Sequence, residues 1–132
     1  MKETEEECQL EFKIYDSLID LSMPLEKASK FDQSKIDLSL IPYVAQIEEA
    51  KALMVGAKKY NRYNYTKGHE ASQLTAAALR HLLAWFSGEE HDPIDGQHHL
   101  GSVKACCSML LHQMELGTMI DNRFKKPSSK TE

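Results

Sequence analysis

At 132 residues, with 42% hydrophobic and 27% charged side chains, the chain can bury one modest core and is too apolar for global disorder. Its formal charge of −4, with no basic block longer than Lys125-Lys126, lacks the basic stripe that holding a nucleic acid duplex by its phosphates requires. A single nucleotide is not excluded, because a divalent cation can supply positive charge locally.

The three cysteines, Cys8, Cys106 and Cys107, cannot all pair within the chain. Cys106 and Cys107 are adjacent in a helical stretch, where successive side chains diverge by about 100°, so they read as thiols of a reducing compartment. The acidic start from Met1 to Cys8 has no apolar h-region, and no run reaches transmembrane length. A cytoplasmic protein without membrane contact is expected.

Glu5 to Met23 carries Leu10, Ile14, Leu18 and Leu21 at helical spacing, which predicts a helix stopped by Pro24. Leu25 to Ile41 reads as a connector. Within it, the run from Asp37 to Pro42 predicts a short extended piece, since a residue before proline avoids the α region. Pro42 opens a helix reaching about Tyr60. Tyr43, Ile47, Ala50, Met54 and Ala57 form its apolar arc, flanked by Ala45, Glu49, Ala52 and Gly56.

Asn61 to Gly68 has turn chemistry and no period, so it is a loop. A further helix over about Glu70 to Phe86 is expected to bury Leu74, Ala78, Leu82 and Trp85 and to stop at Gly88. An acid-rich loop, Glu89 to Gly96, precedes a last helix from about His98 to Leu116. Leu100, Val103, Cys107, Leu110 and Met114 form its stripe, and Gly117 its C-cap. The reading is one all-α domain over 1–132 with flexible ends at about 1–6 and 123–132. Wide apolar faces invite oligomerisation into a dimer or tetramer.

Four groups of residues carry chemistry. Glu89, Glu90, Asp92 and Asp95 lie close to His91, His98 and His99 in sequence. Carboxylates suit Mg²⁺ or Mn²⁺, and Mn²⁺ also accepts imidazole; the other reading is a solvated polar turn. Glu48-Glu49 sits at the edge of an apolar arc beside small residues, as a ligand pair or as a solvated pair. Lys58, Lys59 and Arg62 beside Tyr60, Tyr63 and Tyr65 suit phosphates and a stacked base, or simply a basic helix C-terminus. His81, beside Arg80, lies at the border of a buried stripe as a catalytic group or a core histidine. The phosphate loop G-x-x-x-x-G-K-[ST], G-x-G-x-x-G and the G-x-S-x-G elbow do not occur.

Taken in order, Gly56-Ala-Lys-Lys-Tyr60, Asn64-Tyr65-x-x-Gly68, Ala78-Leu-Arg-His-Leu82, Gly88-Glu89-x-x-Asp92 and Asp95-Gly-x-x-His99-Leu100 resemble the phage-type dATP/dGTP diphosphohydrolases. These are MazG-like, all-α nucleoside triphosphate pyrophosphohydrolases. The likeness runs from about Lys30 to Met114, including Asp32-x-x-Lys35 and Leu40-Ile-Pro42, and is nearest to the MazZ-type branch, which converts (d)GTP to (d)GMP. Of the wider superfamily's E-E-x-x-E helix, Glu48-Glu49 is present and Ala52 stands at the third acid. Tyr65 stands where the family usually has tryptophan.

The resemblance implies a MazG-like bundle in an oligomer, with helices packed between subunits, and cleavage of a purine nucleoside triphosphate to monophosphate and pyrophosphate. It implies Mg²⁺ or Mn²⁺ held by Glu49, Asp92 and Asp95 with Glu48 and His99. Glu89 or His81 would take the proton of the attacking water. Lys35, Lys58, Lys59 and Arg80 would meet the phosphates, with Tyr60 and Asn64 also at the substrate. The alternative is a non-catalytic helical module that binds nucleotide or assembles with itself.

Overall fold

The computed structural model describes residues 27–125. The chain divides into two compact units, Met1–Ile36 and Asp37–Glu132. In the first, the Lys35 amide donates to the Asp32 carbonyl at 2.9 Å, and the expected helix from Glu5 to Met23 lies outside the described residues. In the second, the protein is all-α. Its helices are α1 (Tyr43–Tyr60), α2 (Ala71–Phe86) and α3 (His99–Leu116), with 3-10 turns η1 (Leu38–Leu40) and η2 (Asn64–Lys67). Among the described residues the only β pairing is two isolated bridges, Glu70 with Ile120 and His91 with His98.

Local chemistry sets the helix ends. Asp37 Oδ1 accepts from the Ser39 amide at 3.0 Å and tightens η1, so the extended piece expected from Asp37 shrinks to Ile41 and Pro42. Pro42 then caps α1, as its fixed φ favours. Gly88, at φ 102°, ends α2 and donates to Trp85 O at 3.0 Å. Gly117, at φ 73°, closes α3, and the Thr118 amide returns to Gln113 O at 2.9 Å.

Helix α3 is the element on which the others pack, touching α1, α2 and η2. It runs parallel to α1, because Glu48 meets Gly101 near both N-terminal ends, while the following Tyr65 meets His112. It runs antiparallel to α2, because His69 meets Gln113 whereas His81 meets His99. A Cβ on Gly101 would lie 2.5 Å from Glu48 O, so glycine lets α1 and α3 approach at that level.

Which faces turn inward differs from expectation. On α1 the small flank, Ala45, Glu49, Ala52 and Gly56, is half-buried, while Tyr43 and Met54 of the apolar arc are 77% and 62% exposed. On α2 Leu74 is buried, but Leu82 and Trp85 are open to solvent. On α3 the buried residues are His99, Gly101, Ala105, Cys106 and Gln113, and Cys107 and Met114 face out. The cause is close packing. Small side chains let helix backbones approach, and polar ones that find partners can be buried. A hydropathy stripe records neither.

Gln113 ties the far end together. Its amide nitrogen is 2.8 Å from Tyr65 O and from His69 Nδ1, and its oxygen accepts from the His69 amide at 3.0 Å. Residues beyond α3 pair with the start of α2: the Ala71 amide donates to Ile120 O and the Ser72 amide to Asn122 Oδ1, both at 2.9 Å. The chain is therefore ordered by pairing up to Asn122, and most of the expected flexible end lies outside the described residues.

Candidate functional site

The antiparallel packing of α2 on α3 brings His81, late in α2, to His99, the first residue of α3. Their Nδ1 atoms are 2.9 Å apart. The loop between the helices folds back over them: the His99 amide donates to Glu90 O at 2.9 Å and the Asp92 amide to Gln97 O at 2.8 Å. This places Asp92 beside the two rings. Ligand atoms of His81, Asp92 and His99 lie within 4.8 Å of one another. On its other side, His99 Nε2 meets Glu89 Oε1 at 2.7 Å.

Burial is graded across the cluster. His99 is 3% exposed, His81 and Asp92 are half-buried, and Glu89 is exposed. Both loop aspartates are held by the backbone, Asp92 Oδ1 accepting from the Ile94 amide at 2.9 Å and Asp95 Oδ1 from the Gln97 amide at 3.0 Å. The His81 pKa is held below the usual imidazole value. Burial is the main cause, then the charge of His99, with Arg80 adding to it, against opposing pulls from Asp92 and Asp95. A neutral imidazole near neutral pH is what a metal ligand must be.

Two imidazoles and one carboxylate on a rigid frame form a donor set suited to a divalent cation. The fit is chemical as well as geometric, because His99 has both ring nitrogens aimed at polar atoms although it is buried.

The other expected site residues fall elsewhere in the chain. Glu49 accepts from Ser108 Oγ and pairs with Lys104 Nζ at 3.2 Å. Those partners lie about 8 and 14 Å further along α3 than His99, from the helical rise. Glu48 pairs with Lys51 at 3.3 Å. Within one chain, neither glutamate joins the three-residue cluster. Lys58, Lys59 and Tyr60 are exposed in the last turn of α1, which leads into η2 and its half-buried Asn64. That turn docks at His112 and Gln113, about 20 Å along α3 from His99. Lys35 is exposed in the first unit. Of the expected cations in the second unit, Arg80 neighbours the cluster, with its charge felt at His81. Lys104 and Ser108, which hold Glu49, carry no local sequence signal, because the contact joins two helices.

Residues 26–123 match the family described as dATP/dGTP diphosphohydrolase, N-terminal. The chain belongs to this family. It is also similar to a dATP/dGTP diphosphohydrolase of Salmonella phage PMBT28, 40% identical over 70 residues, which are 53% of this chain and 24% of that protein. The chain thus spans about a quarter of the length of that relative. No solved structure matches. The family match bears out the resemblance to the phage-type dATP/dGTP diphosphohydrolases. It also covers Glu89 to His99 and His81, the residues the fold assembles. Among the described residues, no helix is long and apolar enough to cross a membrane.

Proposed function

We propose that this chain hydrolyses a purine (deoxy)nucleoside triphosphate, dGTP or GTP foremost, to the monophosphate and pyrophosphate, as a MazG-like enzyme dependent on a divalent cation. The observation that carries the reading is the convergence of His81, Asp92 and His99 in a chain of the dATP/dGTP diphosphohydrolase family.

His81, Asp92 and His99 would hold the ion, with Asp95 beside them. A cation bound there would supply charge for the triphosphate oxygens and favour ionisation of a water. Attack of a water oxygen on the α-phosphorus would break its bond to the α–β bridging oxygen and release pyrophosphate. Glu89 is the base this geometry favours, since His81 is occupied as a ligand and Glu89 Oε1 alone is taken by His99. Arg80 offsets phosphate charge from the same end of the fold.

Lys58, Lys59, Tyr60 and Asn64 are too far along the same chain to share that task directly. Their contribution would come through an assembly of copies, and Lys35 is proposed to meet the phosphates as well. The exposed arc of Tyr43 and Met54, and Leu111 and Met114 on α3, support such an assembly. The phage relative supports a host-cytoplasmic setting.

The test is incubation with each of dGTP, GTP, dATP, dCTP and dTTP plus Mg²⁺ or Mn²⁺, reading pyrophosphate. Pyrophosphate from purine substrates supports the reading. Orthophosphate as first product contradicts the cleavage position, and tight nucleotide binding without product supports a non-catalytic module instead.

A further inference from the structure

Building on that reading of the cluster as a metal centre, we infer that Glu89 is also a positioning residue. It holds His99 with Nε2 protonated and Nδ1 bare, so that the site selects a first-row transition-metal cation over Mg²⁺ or Ca²⁺.

A carboxylate can only accept, so the 2.7 Å contact between Glu89 Oε1 and His99 Nε2 places a proton on Nε2. In the neutral ring Nδ1 then carries the lone pair, and it faces His81 Nδ1 at 2.9 Å. Two bare nitrogens at that separation repel unless a proton or a cation stands between them. In the metal-free protein the proton of His81 Nδ1 fills the gap. A cation there would displace that proton, and exchange with solvent would return one proton to His81 Nε2, leaving the ring neutral.

The spacing fits a metal. Tetrahedral nitrogens about 2.1 Å from an ion lie about 3.4 Å apart, so the two rings need to part by only about half an ångström to admit one. The His99 side chain is 4% exposed and that of Glu89 50%, so the ring is enclosed while its carboxylate partner reaches solvent. Carboxylate–histidine–metal arrangements of this kind set the tautomer and raise ligand basicity.

The donor set decides selectivity. Two of the three donors are imidazole nitrogens, which suit ions from Mn²⁺ to Zn²⁺ along the first row. Mg²⁺ holds its waters and prefers oxygen ligands, and the three-residue set offers it one carboxylate. Asp92 is kept in place by the Ile94 amide, so its carboxylate is preset.

The experiment uses the full chain stripped with a chelator and no nucleotide. Zn²⁺ and Co²⁺ are titrated against a chromophoric chelator, Mg²⁺ is added as competitor, and imidazole nitrogen NMR reads the tautomers. One Zn²⁺ or Co²⁺ per chain is expected, resisting a large excess of Mg²⁺, with His81 changing tautomer on binding. Glu89→Ala should weaken Zn²⁺ binding by about 10–100-fold and mix the His99 tautomers. Glu89→Gln, which keeps an acceptor, should recover the tautomer and much of the affinity. Circular dichroism of each variant checks the fold. Unchanged affinity in Glu89→Ala, or Mg²⁺ displacing Zn²⁺ at equal concentration, would overturn the inference. Pyrophosphate release is read separately, so turnover with Mg²⁺ preferred sinks the selectivity and leaves the proposed reaction standing.

Discussion

His81 and His99, separated by a whole loop in sequence, oppose their Nδ1 atoms across 2.9 Å because α2 and α3 pack antiparallel. A shared ion would bind both rings, whereas Glu49 is committed to Lys104 and Ser108. Asp92→Asn and His99→Ala are therefore expected to lower kcat/KM for dGTP by more than the roughly 10–100-fold typical of outer-shell partners. Glu49→Gln should leave Zn²⁺ affinity within a few-fold of the parent. A pyrophosphate-coupled assay and a chelator competition read the two effects. Loss of the metal with Glu49→Gln would instead show that the two acidic stretches share it.

Acid should destabilise the metal-free protein through His81. Its folded pKa lies below the ordinary imidazole value of 6.5, chiefly through burial and then the charge of His99. As pH falls through 6.5 toward the folded value, the unfolded chain takes up a proton first, so stability declines across that window. Above 6.5 both states are neutral at this group and its contribution is flat. Tm in the presence of chelator should drop between pH 7 and pH 5, and His81→Gln should flatten the drop. An identical slope in that variant would remove His81 as the cause.

Gly101→Ala should separate α1 from α3. Its Cβ would meet Glu48 O at 2.5 Å, and that neighbour is backbone, which cannot swing away. Overpacking of this kind costs about 1–3 kcal/mol, to be read as a lower urea midpoint. Gly56→Ala makes the control, since nothing lies within 4 Å of the added carbon.

Gln113→Ala should loosen η2 and the start of α2 together. The fully buried amide serves Tyr65 O, the His69 amide and His69 Nδ1. Its partners are half-buried, so each lost hydrogen bond costs about 1 kcal/mol and a loss of about 1–3 kcal/mol is expected in chemical denaturation. Faster hydrogen exchange at the His69 amide would localise it.

The vicinal cysteines should react unequally. Cys106 is buried, and burial pushes its thiol pKa up, while Cys107 faces outward. Alkylation mapped by mass spectrometry should mark Cys107 well before Cys106 in dilute native protein. Slower labelling of Cys107 as the protein is concentrated would place that face of α3 in a contact between copies. Equal labelling of both cysteines at low concentration would contradict the burial.

The sequence by itself determined the helices and where they stop. Pro42, Gly88 and Gly117 act on their own turns, so spacing and capping chemistry placed the ends of α1, α2 and α3 to within a residue or so. It also marked the loop from Glu89 to His99, whose acids and imidazoles are neighbours along the chain. Only the tertiary structure decided which faces turn inward and which of those polar groups meet. The packed face of α3 is built from Gly101, Ala105, Cys106 and Gln113, chosen by close approach and hydrogen bonding rather than by hydropathy. His81 reaches His99 through the relative orientation of two helices, a quantity that no spacing within either helix encodes.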